Sequence, residues 1–202
     1  DLFASVYAQT DAVVRSSQTI DTGQGGTVRG RIAESLLADV RAVPGVAEAS
    51  GSVSGYARIY GRDGKPIGVD QGSPNFGMDI SEGDLNVWTL REGRVPKGAT
   101  EMAMDRASFN DGKFSLGDRV TVLSQRGTQT FVLVGVVSFG SVDTPAGSRV
   151  ALFDLDTAQQ FVAQPGQLDS INVRGDGSVT DDVLAKRISD ALMEYETIDA
   201  AD

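Results

Sequence analysis

The sequence contains neither cysteine nor histidine. A chain without cysteine has no disulfide bonds, no thiolate metal ligands and no thiol nucleophile. A chain without histidine lacks the usual general base near neutral pH, the serine–histidine pair of many hydrolases and the commonest zinc ligand. These absences argue against most hydrolase and metalloenzyme classes, so we expect that the protein is not an enzyme.

A hydrolase built on two carboxylates is the enzyme class that these absences leave open. Such an enzyme needs two convergent carboxylates, one of which has a raised pKa. The spacing of the Asp and Glu residues nominates no such pair. We therefore rank this alternative below a binding or transport function.

Basic residues and long apolar runs are also scarce. Eighteen Lys and Arg residues against 28 Asp and Glu residues give a formal net charge of -10. A negative chain repels phosphate backbones, so nucleic acid is not an expected partner. The longest apolar run, residues 131–137, is far shorter than the roughly 18 residues of a membrane span. The chain starts at Asp1 and ends in an acidic tail at Asp202, and we expect both ends to lie inside a longer protein.

Helix and strand patterns alternate along the first third of the chain. The predicted elements are, in order, the end of a membrane-proximal helix (1–9), a strand (12–15), a glycine-rich loop (16–30), a helix (31–43) and a strand or bulged strand pair (46–60). Apolar residues at helical intervals carry the helix prediction, and Pro44 and Gly45 end that pattern. The C-terminal residues repeat this order, with a strand (168–174), a helix (180–192) and a strand (196–199). The helix is expected to bury one face made of Val183, Leu184, Ile188 and Leu192.

A block rich in predicted strands separates these two similar parts. Its predicted elements are strands over 100–104, 119–124, 130–139 and 149–153 and short helices over 105–111 and 156–163. Asp156 is the expected helix cap. Two βαβ units that share one sheet give an α+β, ferredoxin-like βαβ–βαβ sandwich. The sequence thus predicts a discontinuous sandwich subdomain, residues 10–71 plus 165–202, interrupted by an inserted small β-rich subdomain, residues 72–164.

Four residues around the start of this block are candidates for contact with a partner. Asp79, Glu82 and Asp84 could supply oxygen ligands to a cation such as calcium, but they lack the EF-hand pattern, and short acidic loops are usually only solvated. Trp88 is the only tryptophan, and it marks either a contact surface or a buried anchor. A buried anchor is the commoner role for a lone tryptophan, and we expect no metal and no cofactor in this domain.

The segment over residues 61–66 contains Gly64 and Lys65, but Pro66 replaces the hydroxyl residue of a P-loop, so we expect a turn there and no phosphate site. Two other stretches imitate cofactor or catalytic motifs. The loop over residues 23–26 reads G-Q-G-G, but Val28 stands where a dinucleotide fingerprint has its third glycine. Residues 150–158 look like the nucleophile loop of haloacid-dehalogenase phosphatases, but Ala158 replaces the threonine of that motif. A loop and a capped helix are therefore the expected roles of these stretches.

Four segments between residues 90 and 137 resemble one protein family in their order and spacing. They read L-R-E-G-R-V-P (90–96), T-E-M-A-M-D (100–105), L-G-D-R-V (116–120) and F-V-L-V-G-V-V (131–137). The set resembles the extracytoplasmic domain of MacB/FtsX-like ABC-transporter permeases, the MacB-like periplasmic core domain. That domain has a G-R-x-P turn, an acidic residue leading an apolar strand, a G-D-x-V turn and an F-x-V-V-G strand. The resemblance covers most of the chain, with 16–30 and 70–89 the least similar residues.

The roles expected for these segments are structural. Gly93 and Gly117 would form tight turns and Pro96 would fix the chain at a sheet edge. Alternation predicts one inward face that consists of Val120, Val122, Val132, Val134 and Val136. The resemblance implies a porter-type sandwich with a sabre-like inserted subdomain.

The resemblance also implies a function. Such a domain lies outside the cell membrane between two transmembrane helices of its permease, and a separate cytoplasmic ATPase uses the ATP. It would couple ATP hydrolysis to export of a lipid, lipoprotein, peptide or drug, or transmit movement to an extracytoplasmic protein partner. A second copy of the permease is a further expected partner. The alternative is a free-standing secreted binding module.

Overall fold

The computed structural model describes residues 9–21, 27–68, 74–192 and 196–199. Backbone contacts divide the chain into two compact units. The larger unit is Ser54–Pro165, and the smaller unit consists of the described residues before and after it. Of the helix predicted over residues 1–9, only residue 9 lies within the described ranges. The loop predicted over 23–26 lies wholly outside them.

The smaller unit begins with five strands and one helix. They are Ala12–Arg15 (β1), Thr19–Asp21 (β2), Thr27–Arg29 (β3), Ile32–Ala33 (β4), Leu36–Arg41 (α1) and Val46–Ser52 (β5). The prediction of a loop over 16–30 is wrong, because β2 and β3 pair antiparallel. The helix is shorter than predicted because Ile32 and Ala33 pair as a strand with Leu168 and Gln167. Leu37 and Val40 of α1 are buried, and Gly45 reverses the chain after the helix with φ +106°.

The larger unit contributes seven strands and two helices. They are Ser54–Tyr60 (β6), Asn75–Asp79 (β7), Trp88–Gly93 (β8), Glu101–Asp105 (β9), Arg106–Asp111 (α2), Arg119–Ser124 (β10), Gly127–Phe139 (β11), Arg149–Phe153 (β12) and Leu155–Phe161 (α3). Their order in the sheet is β10-β6-β7-β12-β9-β11-β8. Because β10 also pairs with β11, six strands form a closed ring and β8 extends from β11. A division near residue 72 was predicted, but β6 pairs with β7 and β10, so the larger unit already begins at Ser54.

The chain then returns to the smaller unit. Its last elements are Gln167–Leu168 (β13), Ser170–Gly175 (β14), Asp181–Leu192 (α4) and Glu196–Asp199 (β15). The sheet order is β15-β1-β14-β5, and all three pairings are antiparallel. Helix α1 packs on β5, and α4 packs on β1 and β15 and against α1. Leu184, Ile188 and Leu192 of α4 are buried as predicted, but Val183 is 43% exposed.

Three aromatic side chains form the centre of the core inside the ring of strands. The ring centroids of Phe131 and Phe153 lie 4.7 Å apart, and Phe161 of α3 lies 5.1 Å from the first and 5.6 Å from the second. Replacing one such buried Phe by Ala costs about 3–5 kcal/mol in typical cores. The opposite face of the same sheet carries a second buried cluster, with Trp88, Phe139 and Leu152 among its members, because side chains alternate along each strand.

Two sequence-based expectations about this unit are wrong in detail. Val132 and Val134 lie on the less buried face of β11, and Phe131 and Leu133 take the inward positions. The pairing of β11 with β9 shifts between Leu133 and Gly135, so strict alternation does not continue to Val136. Helix α3 is capped by Asp154 instead of Asp156, since the Asp154 carboxylate accepts a hydrogen bond from the Thr157 N–H at 2.9 Å.

Candidate functional site

The four segments that resemble the permease family meet on one stretch of β11. The N–H of Val132 donates to the carbonyl oxygen of Thr100 at 2.8 Å. The carbonyl of Leu133 accepts from the N–H of Gly117 at 2.8 Å, and that of Val134 accepts from the N–H of Arg94 at 2.9 Å. Three consecutive residues of the fourth segment thus each bond to one of the other three segments. We call residues 93–94, 100–101, 117–118 and 131–135 the motif crossing.

Two glycines permit the close backbone approach at this crossing. Gly93 ends β8 with φ +73°, and a Cβ atom placed there would lie 2.1 Å from the Val134 oxygen. Gly135 pairs with Gly93 across the two strands, and a Cβ atom on Gly135 would lie 2.2 Å from the Arg94 oxygen. Neither position has room for a side chain, so backbone packing explains both motif glycines.

An ion pair closes the turn between β8 and β9. The Arg94 guanidinium donates to both carboxylate oxygens of Glu101, each at 2.6 Å. The N–H of Lys97 donates to the same carboxylate at 3.0 Å. The Arg94 hydrogen bonds, followed by that from Lys97, lower the pKa of Glu101 to about 2. Glu101, the acidic residue at the start of β9, therefore holds the two ends of this turn together. We call this set of hydrogen bonds the clasp.

The third segment contains a similar clasp. Asp118 accepts a hydrogen bond from the Ser115 N–H at 2.8 Å and another from the Arg62 guanidinium at 2.8 Å. The bond from Ser115, and then that from Arg62, lower the pKa of Asp118. Gly117 precedes it with φ +90°, which is the conformation that the predicted tight turn requires.

A buried polar network lies beside the crossing, and the sequence alone did not reveal it. Asp105 is fully buried and caps α2 by accepting from the Ser108 N–H at 2.8 Å. It also accepts from the Ser108 hydroxyl at 2.5 Å and from the Val150 N–H at 2.7 Å. Burial raises the pKa of Asp105, and these hydrogen bonds oppose that rise. The D-R-A-S spacing before a predicted helix is the signal that could have identified the cap.

Trp88 is a core residue in the structure. Its side chain belongs to the second buried cluster and meets Phe139 edge to face, with ring centroids 5.5 Å apart. The residue is 5% exposed. Trp88 is therefore a buried anchor, and its indole ring is not exposed as a contact surface.

The three acidic candidates lie at and after the end of β7. Asp79 is the last residue of that strand, and Glu82 and Asp84 are exposed in the loop that follows. The Glu82 carboxylate pairs with the Lys97 ammonium at 3.4 Å. Within the described ranges, no group of three acidic side chains is close enough to hold a metal ion. A partner contact by these three residues stays a prediction.

Comparison with known proteins identifies solved structures that have a similar fold. No protein-family model and no curated protein matches the sequence. The structure is similar to the periplasmic region of MacB from Actinobacillus actinomycetemcomitans, with a TM-score of 0.67 and 14% identity over 98% of this chain and 92% of that one. It is also similar to the extracellular domain of the noncanonic ABC-type transporter YknZ from Gram-positive bacteria, with a TM-score of 0.61 and 15% identity over 94% and 99%.

The chain has the fold of a MacB-like periplasmic domain. The resemblance seen in the four sequence segments is thereby confirmed at the level of fold. In this MacB-like domain the charged residues Arg94, Glu101, Asp105 and Asp118 each bond to backbone groups or to an opposite charge. The charged groups of the motif segments are accordingly used within the fold. None of the helices in the described ranges is both long and apolar enough to pass through a membrane.

Proposed function

We propose that this chain is the extracytoplasmic domain of an ABC-transporter permease. The observation that carries the proposal is the similarity to the MacB and YknZ domains over at least 92% of every chain compared. The domain would lie outside the cell membrane, attached to transmembrane helices of the same permease. A separate cytoplasmic ABC ATPase subunit or domain would hydrolyse the ATP, so this domain would need no cofactor and would not be an enzyme.

The strand order supports a ferredoxin-like sandwich for the smaller unit. Its four strands form the antiparallel order β15-β1-β14-β5, with α1 connecting the first strand to β5 and α4 connecting β14 to the last strand. Numbered along the unit, this is the order 4-1-3-2 of two βαβ units that share one sheet. The larger unit is inserted between the second and third of these strands.

The proposed mechanism is transmission of movement to an export substrate or to an extracytoplasmic protein. Within the described ranges, the chain passes between the units after Val53 and again after Pro165. Gly166 follows the second crossing with φ +72° and has no atom within 4 Å of its Cβ position, whereas Gly55 after the first is held in β6 with Val162 packed against it. Residues at such crossings can absorb the dihedral changes of a hinge movement. Lipids, lipoproteins, peptides and drugs are the candidate substrate classes, and a second permease copy is a candidate partner.

Fractionation of the native cells tests the proposal against a free-standing secreted module. Antibodies to this chain should detect it in the membrane fraction of intact cells, and protease added outside should cleave it. The solubilised protein should co-purify with an ATPase. A protein recovered in the medium, with no apolar segment of about 20 residues on either side in its reading frame, would overturn the proposal.

A further inference from the structure

We propose that a basic cleft in the larger unit binds a phosphate group, with Lys65, Lys113 and Arg62 as the contacting cations. The cleft has a volume of about 850 Å³, which is in the range of small-molecule sites. It is lined by the turn over residues 61–68, by residues 111–113 at the end of α2 and by Arg149 of β12. This inference concerns a binding site and does not depend on the transport role.

The charge of this cleft is opposite to that of the whole chain. Four of its lining residues are cations, Arg62, Lys65, Lys113 and Arg149, and two are carboxylates, whereas the chain has a net charge of -10. Both carboxylates already accept hydrogen bonds inside the protein. Asp111 accepts from the Arg149 guanidinium at 2.6 Å, and Asp63 accepts from the Lys65 N–H at 3.0 Å. With Asp118, the partner of Arg62, included, four cations face three carboxylates, so the cleft has a net positive charge in a chain that is negative overall.

The lysines distinguish this cleft from the rest of the surface. The chain has four lysines, and two of them line the cleft. The other two are paired, Lys97 with Glu82 at 3.4 Å and Lys186 with Asp190 at 2.9 Å. Among the described residues, no carboxylate lies within 4.0 Å of the ammonium of Lys65 or of Lys113. The two lysines whose ammonium groups form no ion pair with a described carboxylate thus share one cleft.

The backbone at Lys113 is a second observation that favours a ligand. Lys113 has φ +52°, one of two non-glycine residues with a positive φ among the described residues. This left-handed conformation costs a side-chain-bearing residue about 1 kcal/mol or more, and glycine or asparagine usually occupies such a position after a helix. The backbone conformation at position 113 favours glycine, yet the residue is a lysine, which places a cation at the cleft.

A phosphate fits these cations better than a single carboxylate does. A phosphate monoester carries up to two charges and three acceptor oxygens, so it can bond to several cations at once. The Arg62 guanidinium uses one nitrogen, Nη2, to bond to Asp118, and its side chain is 57% exposed. The same chemistry occurs in free inorganic phosphate and in an anionic phospholipid headgroup, and the experiment separates these two sources.

The test is an NMR titration of the 202-residue chain with sodium phosphate at constant ionic strength, and sedimentation of the chain with phosphatidylglycerol vesicles. We expect saturable amide shifts at residues 61–68 and 111–113, or vesicle binding that soluble phosphate competes away. Response to phosphate alone assigns a soluble ligand, and response to vesicles assigns a headgroup. A response in neither arm overturns the proposal.

Two double variants separate a site from a general charge effect. K65Q/K113Q should weaken binding by about tenfold or more, because two charge-assisted hydrogen bonds are lost. K97Q/K186Q removes the same charge away from the cleft and should change affinity by about twofold or less. Melting temperatures of both variants check that they fold. Equal loss of affinity in the two variants overturns the proposal, and so does an unchanged affinity in K65Q/K113Q.

Discussion

Gly93 and Gly135 lie opposite each other where β8 meets β11, and a Cβ atom on Gly93 would lie only 3.2 Å from the Cα atom of Gly135. This contact fixes the distance between the edge strand and the strand on which all four motif segments meet. It also explains why the G-R-x-P and F-x-V-V-G segments occur together, since each glycine makes room for the backbone of the other segment.

The first prediction concerns this close approach. Gly93→Ala should destabilise the protein by about 3 kcal/mol or more, because the new methyl group would overlap the Val134 oxygen. Gly98→Ala is the matched control, since Gly98 has a similar φ of +78° with no atom within 4 Å of its Cβ position. The control should lose about 1 kcal/mol. Urea denaturation measures both losses, and equal losses would contradict the steric explanation.

The second prediction concerns the buried cap. Asp105→Asn should lower the free energy of unfolding by about 2 kcal/mol or more, because one carbonyl oxygen cannot accept from Ser108 and Val150 as two carboxylate oxygens do. Asp154→Asn is the control at a more accessible cap, where the carboxylate accepts from the N–H groups of Thr157 and Gly98 and water can replace the acceptor that asparagine lacks. Its loss should stay below about 1 kcal/mol. A smaller loss at Asp105 than at Asp154 would show that the network does not stabilise the fold.

The third prediction concerns acid stability. The pKa of Glu101 is about 2 in the folded protein and 4.5 ordinarily, so its ionised form stabilises the fold above pH 4.5 and that contribution disappears as the pH falls towards 2. Glu101→Gln should flatten the decline in urea midpoint over this window. Arg94→Gln should bring the pKa of Glu101, measured by carboxyl NMR, back towards its ordinary value. An unchanged pKa in that variant would contradict the clasp.

The fourth prediction concerns the single tryptophan. Because Trp88 is buried against Phe139, its fluorescence should be blue-shifted in the folded protein and weakly quenched by acrylamide. Unfolding in urea should shift the emission to the red and make quenching efficient. A red-shifted, fully quenched emission under native conditions would place the ring in solvent and revive its role as a contact residue.

The sequence predicts those elements whose signals are local. The strands 12–15, 119–124, 149–153 and 196–199 have their predicted bounds, and the hairpin around Gly127 forms as expected. Strong β-propensity or alternation of apolar residues makes such strands recognisable without knowledge of their partners.

The elements that sequence reasoning missed depend on distant partners. β7 pairs with β12, about 75 residues later, and glycines and prolines around it hide its period. Which residues of β11 face inward depends on its register with β10. Val120 lies opposite Phe131, so Val132 and Val134 are on the other face, and nothing local in the sequence shows this register. The buried cap at Asp105 bonds to Val150, and only the folded chain brings these residues together.

Hydrogen exchange of the intact permease in membranes, with its ATPase, tests the central claim most directly. The measurement compares the nucleotide-free assembly with the assembly trapped on a non-hydrolysable ATP analogue. A domain that couples to the ATPase should change protection around residues 53–54 and 166–167, where the chain passes between the units. The strands of the closed sheet from residue 56 to residue 153 should keep their protection in both states. Identical exchange at the crossings in the two states would contradict the account.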